Sequence, residues 1–146
     1  MDDVMLERFE YIYLQFPGAT VVELQTLMAQ LHLLEFPIDV LPAAYLSLLS
    51  ESNGGGFMCG KREYQLFSTT EVIQNYAGYR FATYMPFALP FALDGCGNFY
   101  LFDLRTGNDE RIYYTAAGNM GWQEDEVFFI ADNFVELLKQ KIPLWG

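Results

Sequence analysis

The stretch from residue 84 to residue 104, YMPFALPFALDGCGNFYLFDL, places the tightest limits on how this chain can fold. It is a dense apolar run that is interrupted once, at Asp94-Gly95-Cys96-Gly97. An apolar run that ends in a Gly-rich turn signal and then resumes in alternation is typical of a β-hairpin. We therefore predict one strand over Phe87–Leu93 and a return strand over Asn98–Leu104. Gly95 or Gly97 is expected to have a positive φ in the turn.

Helical patterns come before the hairpin. Apolar residues spaced by three and four predict an amphipathic helix over Met5–Phe16. Thr20 with Glu23 three residues later forms a capping box, which predicts the start of a second helix. Pro42 is expected at the first position of a third helix, which contains Tyr45. Asn53-Gly54 is expected to end that helix, because these residues adopt the left-handed conformation most easily.

Short strands and one further helix complete the region before the hairpin. The sequence predicts strands over Phe57–Cys59 and Tyr64–Phe67, joined by a turn at Lys61-Arg62. Ser68 and Glu71 repeat the capping-box pattern and predict a short helix to about Tyr76.

The region after the hairpin predicts two strands and a closing helix. The strands are expected over Arg111–Thr115 and Val127–Ile130. The helix is expected to be capped near Asp132, with Phe134, Leu137, Leu138 and Ile142 on its apolar side. Together these elements predict an α+β fold: a central antiparallel sheet, built from a hairpin and a meander, flanked by N-terminal helices and one C-terminal helix. A length of 146 residues predicts a single domain over residues 1–146.

Charge limits the partners of the chain. Eight Lys and Arg against 19 Asp and Glu give a formal net charge of -11, which repels nucleic acid and anionic lipid and attracts a basic protein. An acidic balance is also a common means of keeping a protein soluble. No apolar run reaches the length of a membrane span. Two cysteines and a start without a basic segment lead us to expect a cytoplasmic protein.

Residues that commonly carry catalysis are few and badly spaced. His32 is the single histidine and lies among leucines, which favours a helix-end position over a catalytic one. Cys96 is expected to be a small turn residue, because no residue near it in the sequence would activate its thiol. Cys59, Cys96 and His32 lack the spacing of metal ligands. The sequence therefore predicts no enzyme, no metal site and no cofactor.

Two acidic loops after the hairpin are candidates for binding a basic partner. One contains Asp109 and Glu110, and the other contains Glu124, Asp125 and Glu126. A meander is expected to bring both loops toward edges of one sheet. Trp122 is an aromatic residue of the type that anchors interfaces, and the carboxylates would accelerate association. The alternative is that Glu124–Glu126 form a solvated loop and that Trp122 covers the core.

Four short motifs, taken in order, give the chain a family resemblance. They are Leu41-Pro42-x-x-Tyr45 with Leu48-Leu49 and Asn53-Gly54-Gly55, then Phe67-Ser68-x-x-Glu71-Val72-Ile73, then Pro90-Phe91-Ala92 with Asp94-Gly95-x-Gly97-Asn98, and last Ile130-Ala131-Asp132-x-Phe134. With these motifs the chain resembles the SUKH superfamily of Smi/Knr-like proteins over residues 20–138.

The resemblance implies an α+β domain with a central antiparallel sheet and a non-catalytic role. Many bacterial members of the superfamily are immunity proteins that bind and neutralise a cognate toxin, often a nuclease. Other members are regulatory interaction modules. The resemblance therefore leads us to expect a cytoplasmic immunity protein with a protein toxin as partner, and an intracellular regulatory scaffold is the alternative.

Overall fold

A single antiparallel sheet connects the described parts of the chain, residues 5–106 and 110–144 of a computed structural model. Its seven strands are β1 (Tyr11–Gln15), β2 (Gly55–Cys59), β3 (Arg62–Leu66), β4 (Ala88–Leu93), β5 (Asn98–Asp103), β6 (Ile112–Ala116) and β7 (Val127–Ala131). The spatial order of the strands is their order in the chain. The predicted meander is therefore confirmed, and β1 and β7 are the two strands at the edges of the sheet.

Helices occupy the connections between the strands. They are a 3₁₀ helix (Met5–Arg8), α1 (Val21–Leu33), α2 (Ala43–Glu51), α3 (Thr69–Gly78), α4 (Phe81–Tyr84) and α5 (Phe134–Leu137). The predicted α+β fold is confirmed. Both predicted capping boxes are formed: the side chain of Thr20 caps α1 with Glu23, and that of Ser68 caps α3 with Glu71. Pro42 is the N-cap of α2, one position before the predicted one.

The predicted hairpin is formed by β4 and β5 at the centre of the sheet. One carboxylate oxygen of Asp94 accepts hydrogen bonds from the backbone N–H groups of Cys96 (2.8 Å) and Asn98 (3.1 Å). The other accepts one from the side-chain amide of Asn98 (2.7 Å). Gly95 and Gly97 have φ values of 84° and 87°, in the region that favours glycine.

The central strands are buried on both faces. On one face Tyr100 packs against Tyr64, with ring centroids 4.7 Å apart, and also against Phe91. Its neighbour Phe99, on the other face, packs against Phe81 at 5.2 Å. All residues of β5 after Asn98 are buried, whereas almost all of β1 is exposed. Burial of apolar area is the main stabilising contribution to a fold of this kind, so the stability is concentrated in the middle of the sheet.

The predicted helix over Met5–Phe16 is wrong. The segment folds as the short 3₁₀ helix followed by β1, which pairs with β2 through Ile12 and Phe57. Its Tyr-Ile-Tyr-Leu run is rich in aromatic and β-branched residues, which favour strands. The spacing of the apolar residues is compatible with an α-helix and with a strand. Pairing with β2, more than forty residues away, favours the strand.

The predicted extent of the last helix is also wrong. Its N-cap is Asn133 rather than Asp132, and α5 is a single turn that stops at Leu137. Ile142 is exposed, and its carbonyl accepts a hydrogen bond of 2.8 Å from Nε of the buried Arg62. The guanidinium group also donates to the side chain of Gln140. Arg62 therefore holds residues 140–142 against the sheet, and it begins β3 instead of forming the predicted turn.

The turn of the central hairpin yields a stability prediction. We expect Gly97→Val to lower the free energy of unfolding by about 1–3 kcal/mol, because a β-branched residue at positive φ is strained. Gly118→Val is the matched control, since an added Cβ meets nothing within 4 Å at either position and Gly118 does not have a positive φ. Urea unfolding of both variants measures the difference. Equal stability of Gly97→Val and Gly118→Val would show that the strain is absent.

Candidate functional site

Trp122 lies in the loop between β6 and β7 and is partly buried against the core. Its indole N–H donates a hydrogen bond of 2.7 Å to the carbonyl of Pro86, which precedes the central hairpin. The ring of Tyr113 in β6 meets Trp122 edge-on, with centroids 6.1 Å apart. The indole therefore has a fixed position, and part of its surface still faces solvent.

A buried carboxylate positions the group that covers Trp122. The guanidinium of Arg105 lies 3.8 Å from the centroid of the Trp122 ring, within range of a cation–π interaction. Nε and Nη2 of Arg105 each donate a hydrogen bond of 3.0 Å to Asp103. These hydrogen bonds raise the pKa of Arg105 above its ordinary value. The side chain of Asp103 is fully buried and also forms an ion pair with Arg111 at 3.7 Å.

The acidic loop beside Trp122 is ordered by its own hydrogen bonds. Glu124 and Asp125 are exposed, whereas Glu126 is half-buried. The Glu126 carboxylate accepts a hydrogen bond from the backbone N–H of Gln123, and its carbonyl accepts one from the hydroxyl of Thr115 (2.7 Å). The loop thus presents two exposed carboxylates, with a third close by, directly before β7.

Glu110 is not brought together with Glu124–Glu126. The register pairs Ile112 with Ala131 and Thr115 with Val127, so Glu110 lies at the opposite end of the β6–β7 hairpin. There it lines a groove between α2 and α5. Asp109 lies outside the described residues. Glu110 and Glu124–Glu126 therefore flank β7 at its two ends.

Two exposed aromatic residues next to the loop that contains Glu124–Glu126 were not predicted as site residues. Phe128 and Phe129 in β7 are 43% and 52% exposed. Phe128 stacks on Tyr114, while Phe129 meets Tyr113 edge-on. Neighbouring residues of a strand point to opposite faces, so the sequence Val-Phe-Phe-Ile-Ala already contained a signal that one phenylalanine faces outward.

We call the combined patch the β6–β7 surface. It consists of Tyr113, Tyr114, Trp122, Glu124, Asp125, Glu126, Phe128 and Phe129. Five of these side chains are aromatic and three are acidic. Large aromatic anchors beside charged groups are typical of protein-binding surfaces.

The remaining motif residues lie at positions that shape the fold. Tyr45 of α2 and Phe134 of α5 are buried in the core. The side chain of Asn53 accepts a hydrogen bond of 2.8 Å from the backbone N–H of Thr69 and so connects the end of α2 to the start of α3. Gly54, with φ of 93°, turns the chain into β2.

The histidine and the cysteines lie in separate parts of the fold. His32 is in the last turn of α1, where its Nε2 is 3.2 Å from Asp39. Cys59 is buried in β2, and Cys96 is exposed in the turn of the central hairpin. Within residues 5–106 and 110–144, no cluster of three or more His, Cys, Asp and Glu side chains could hold a metal ion.

The match to known proteins spans most of this architecture. The model of the SMI1/KNR4 family (SUKH-1) matches residues 18–140, from the start of α1 past the end of α5. The chain belongs to the SMI1/KNR4 family (SUKH-1). A search of curated proteins gives no match. The region matched by the SUKH-1 model contains Asp103, Arg105 and the whole β6–β7 surface, but not β1.

One further finding concerns membranes. Among the helices in the described part of this SUKH-1 chain, none has the length and apolar character needed to cross a bilayer.

The contact of Arg105 with Trp122 can be tested through Asp103. We expect Asp103→Asn to lower the free energy of unfolding by about 1–3 kcal/mol, because it removes the buried negative charge that pairs with Arg105 and Arg111 and one of the two oxygens that accept from Arg105. The indole of Trp122 should become more accessible to acrylamide, which is measured in a Trp145→Phe background so that Trp122 is the single tryptophan.

Asp125→Asn is the matched control, since it makes the same chemical change at an exposed position of the neighbouring loop. It should alter stability by no more than about 0.5 kcal/mol and leave the quenching unchanged. If Asp103→Asn behaves like this control, Asp103 does not position Arg105 over Trp122.

Proposed function

We propose that this chain is a cytoplasmic, non-catalytic immunity protein that neutralises one cognate toxin, a basic protein, by stoichiometric binding. The observation that carries the proposal is membership of the SUKH-1 family over residues 18–140. The β6–β7 surface supports it, because this surface combines aromatic anchors with carboxylates and so has the composition expected of a site for a basic protein.

The charge of the chain favours a basic partner at two scales. The net charge of -11 attracts a cationic protein from a distance, and it repels nucleic acid. At short range, Glu124, Asp125 and Glu126 precede β7 without an intervening Lys or Arg. Carboxylates in this position would steer the partner toward the aromatic side chains.

Preorganisation supports Trp122 as the anchor of the interface. Its indole is held by Pro86 on one side and covered by Arg105 on the other. A side chain that is already fixed loses little conformational entropy on binding, so more of its contact energy contributes to affinity. The same contacts leave Trp122 less exposed than Phe129, and we therefore propose that the two share the role.

Co-expression with a toxin tests the function directly. The probe is the toxin encoded beside this gene, produced with and without the chain. We expect the chain to restore growth and to form a complex of one chain with one toxin, measured by calorimetry. No rescue and no complex would contradict the proposal, and many weakly bound proteins in a pull-down would favour a regulatory scaffold instead.

A charge-reversal variant tests the steering. We expect the triple change of Glu124, Asp125 and Glu126 to Lys to slow association with that toxin by about 100-fold at low salt, since steered and neutral pairs differ by at least this much. The effect should shrink as salt is added, because salt screens exposed charges. Stopped-flow kinetics across a salt series measures both quantities.

The matched control changes Glu7, Glu35 and Asp39 to Lys, three exposed acids outside the β6–β7 surface. It alters the net charge by the same amount. Equal slowing by the two triple variants would mean that net charge alone acts, and an unchanged rate in the first variant would place the docking face elsewhere.

A further inference from the structure

β7 is an edge strand without charged side chains. Its five residues, Val127–Ala131, are all apolar, and it ends the strand order of the sheet. Val127, Phe128 and Phe129 pair regularly with β6, and the register then shifts before Ala131. The carbonyl of Ile130, at that irregularity, accepts a hydrogen bond of 2.6 Å from the side chain of Gln140. The regular part of the edge is therefore residues 127–129.

Aromatic side chains line β7 on both faces of the sheet. On one face Phe128 stacks on Tyr114, with ring centroids 5.2 Å apart. On the other face Phe129, Tyr113 and Trp122 form a row in which neighbouring centroids are 5.5 and 6.1 Å apart. A strand added beyond β7 would place its alternate side chains beside Phe128 on one face and beside Phe129 on the other.

Carboxylates flank this apolar edge at both ends. Glu124, Asp125 and Glu126 precede β7, and the exposed Asp132 follows it directly. Glu110 lies at the same end as Asp132, because the register pairs Ile112 with Ala131. An extended segment with an apolar centre and basic ends would therefore match β7 along its length.

The same charges oppose pairing of β7 with a second copy of the chain. An antiparallel pair would bring Glu124–Glu126 of one copy beside Asp132 of the other, and a parallel pair would bring Glu124–Glu126 of both copies together. Either arrangement places like charges next to each other, which is destabilising. The flanking acids therefore disfavour edge-to-edge pairing of two copies of the chain, and they favour binding of a basic segment.

The opposite edge is less suited to such pairing. The register of β1 shifts between Ile12 and Leu14, in the middle of the strand. The hydroxyl of Tyr13 donates a hydrogen bond to Glu63, and Glu10, just before the strand, forms an ion pair with Lys141. β7 also has one such irregularity, at Ile130, but the three residues before it pair regularly. In β1 only two residues pair regularly on each side of the shift, so β1 offers a shorter template than β7.

We propose that β7 receives an extended segment of the partner protein as an additional antiparallel or parallel strand, and that this segment has an apolar centre and Lys or Arg at both ends. The backbone groups of residues 127–129 that face away from β6 provide the pairing, except the N–H of Val127, which already donates to the carbonyl of Gln123 at 3.3 Å. The aromatic side chains of both faces contact the segment. The partner is the toxin of the proposed function, so the inference rests on that function for the identity of the protein but not for the docking mode.

The first test uses a defined probe instead of the toxin. It is a fluorescein-labelled peptide with a centre of alternating Ile and Val and with Lys-Arg at each end. We expect the chain to bind this peptide and to bind a version with Glu in place of Lys and Arg far more weakly. N-methylation of every second residue should weaken binding about tenfold or more, because it removes backbone donors on one edge and leaves the charges unchanged.

Paired variants locate the docking edge. Phe128→Ser with Phe129→Ser should weaken peptide binding about tenfold, since exposed aromatic anchors are lost without any change of charge. The matched control is Tyr11→Ser with Leu14→Ser in β1, where the side chains are 60% and 48% exposed. This control should bind the peptide like the parent chain.

Three results would overturn the inference: no binding of the basic peptide, equal binding of its N-methylated version, or equal losses in the two paired variants. Toxin experiments separate it from the proposed function. If the Phe128→Ser, Phe129→Ser variant binds the toxin as tightly as the parent, strand addition at β7 is wrong and the function stands. If the peptide binds β7 but the toxin does not bind the chain, the docking mode stands and the toxin is not the partner.

Discussion

The carboxylate of Asp94 accepts hydrogen bonds from Cys96 and Asn98 in the turn between β4 and β5. They close the central hairpin with Gly95 and Gly97 at positive φ. The hairpin places Tyr100 and Phe99 on opposite faces, and both faces become core. Every other strand adds to the outside of this pair in chain order, so the sheet must end in β1 and β7.

The properties of the β7 edge follow from that order. Because β7 is last, its aromatic side chains lack a further strand to cover them, and two phenylalanines stay about half exposed. In the same region, the buried carboxylate of Asp103 binds Arg105, and the guanidinium of Arg105 lies over the ring of Trp122. The acids at both ends of β7 attract a basic segment and repel a second, equally acidic copy of the chain.

Features with local causes were predictable from the sequence. The capping boxes at Thr20 and Ser68 and the Gly-rich turn after Asp94 need only residues a few positions apart, and all three are formed. The two wrong helices depended on distant partners. β1 exists because of its pairing with β2. The chain after α5 is irregular and is held against the sheet by Arg62, about eighty residues earlier, which donates to the carbonyl of Ile142.

In the candidate site, too, local features were predictable from the sequence and features that depend on distant residues were not. Composition was enough to select Trp122 and Glu124–Glu126, which do lie in one loop. The separation of Glu110 from that loop required the register of β6 with β7. The role of Arg105 required the fold, since its contact with Trp122 depends on how the buried Asp103 is oriented.

Hydrogen–deuterium exchange of the chain, free and in complex with the toxin encoded beside it, shows whether the partner docks on the edge of β7. We expect the backbone amides within residues 127–129 that face away from β6 to gain protection in the complex, whereas those of Tyr11–Gln15 in β1 exchange as in the free chain. Protection that appears at β1, or elsewhere while residues 127–129 stay unchanged, would contradict docking on the edge of β7.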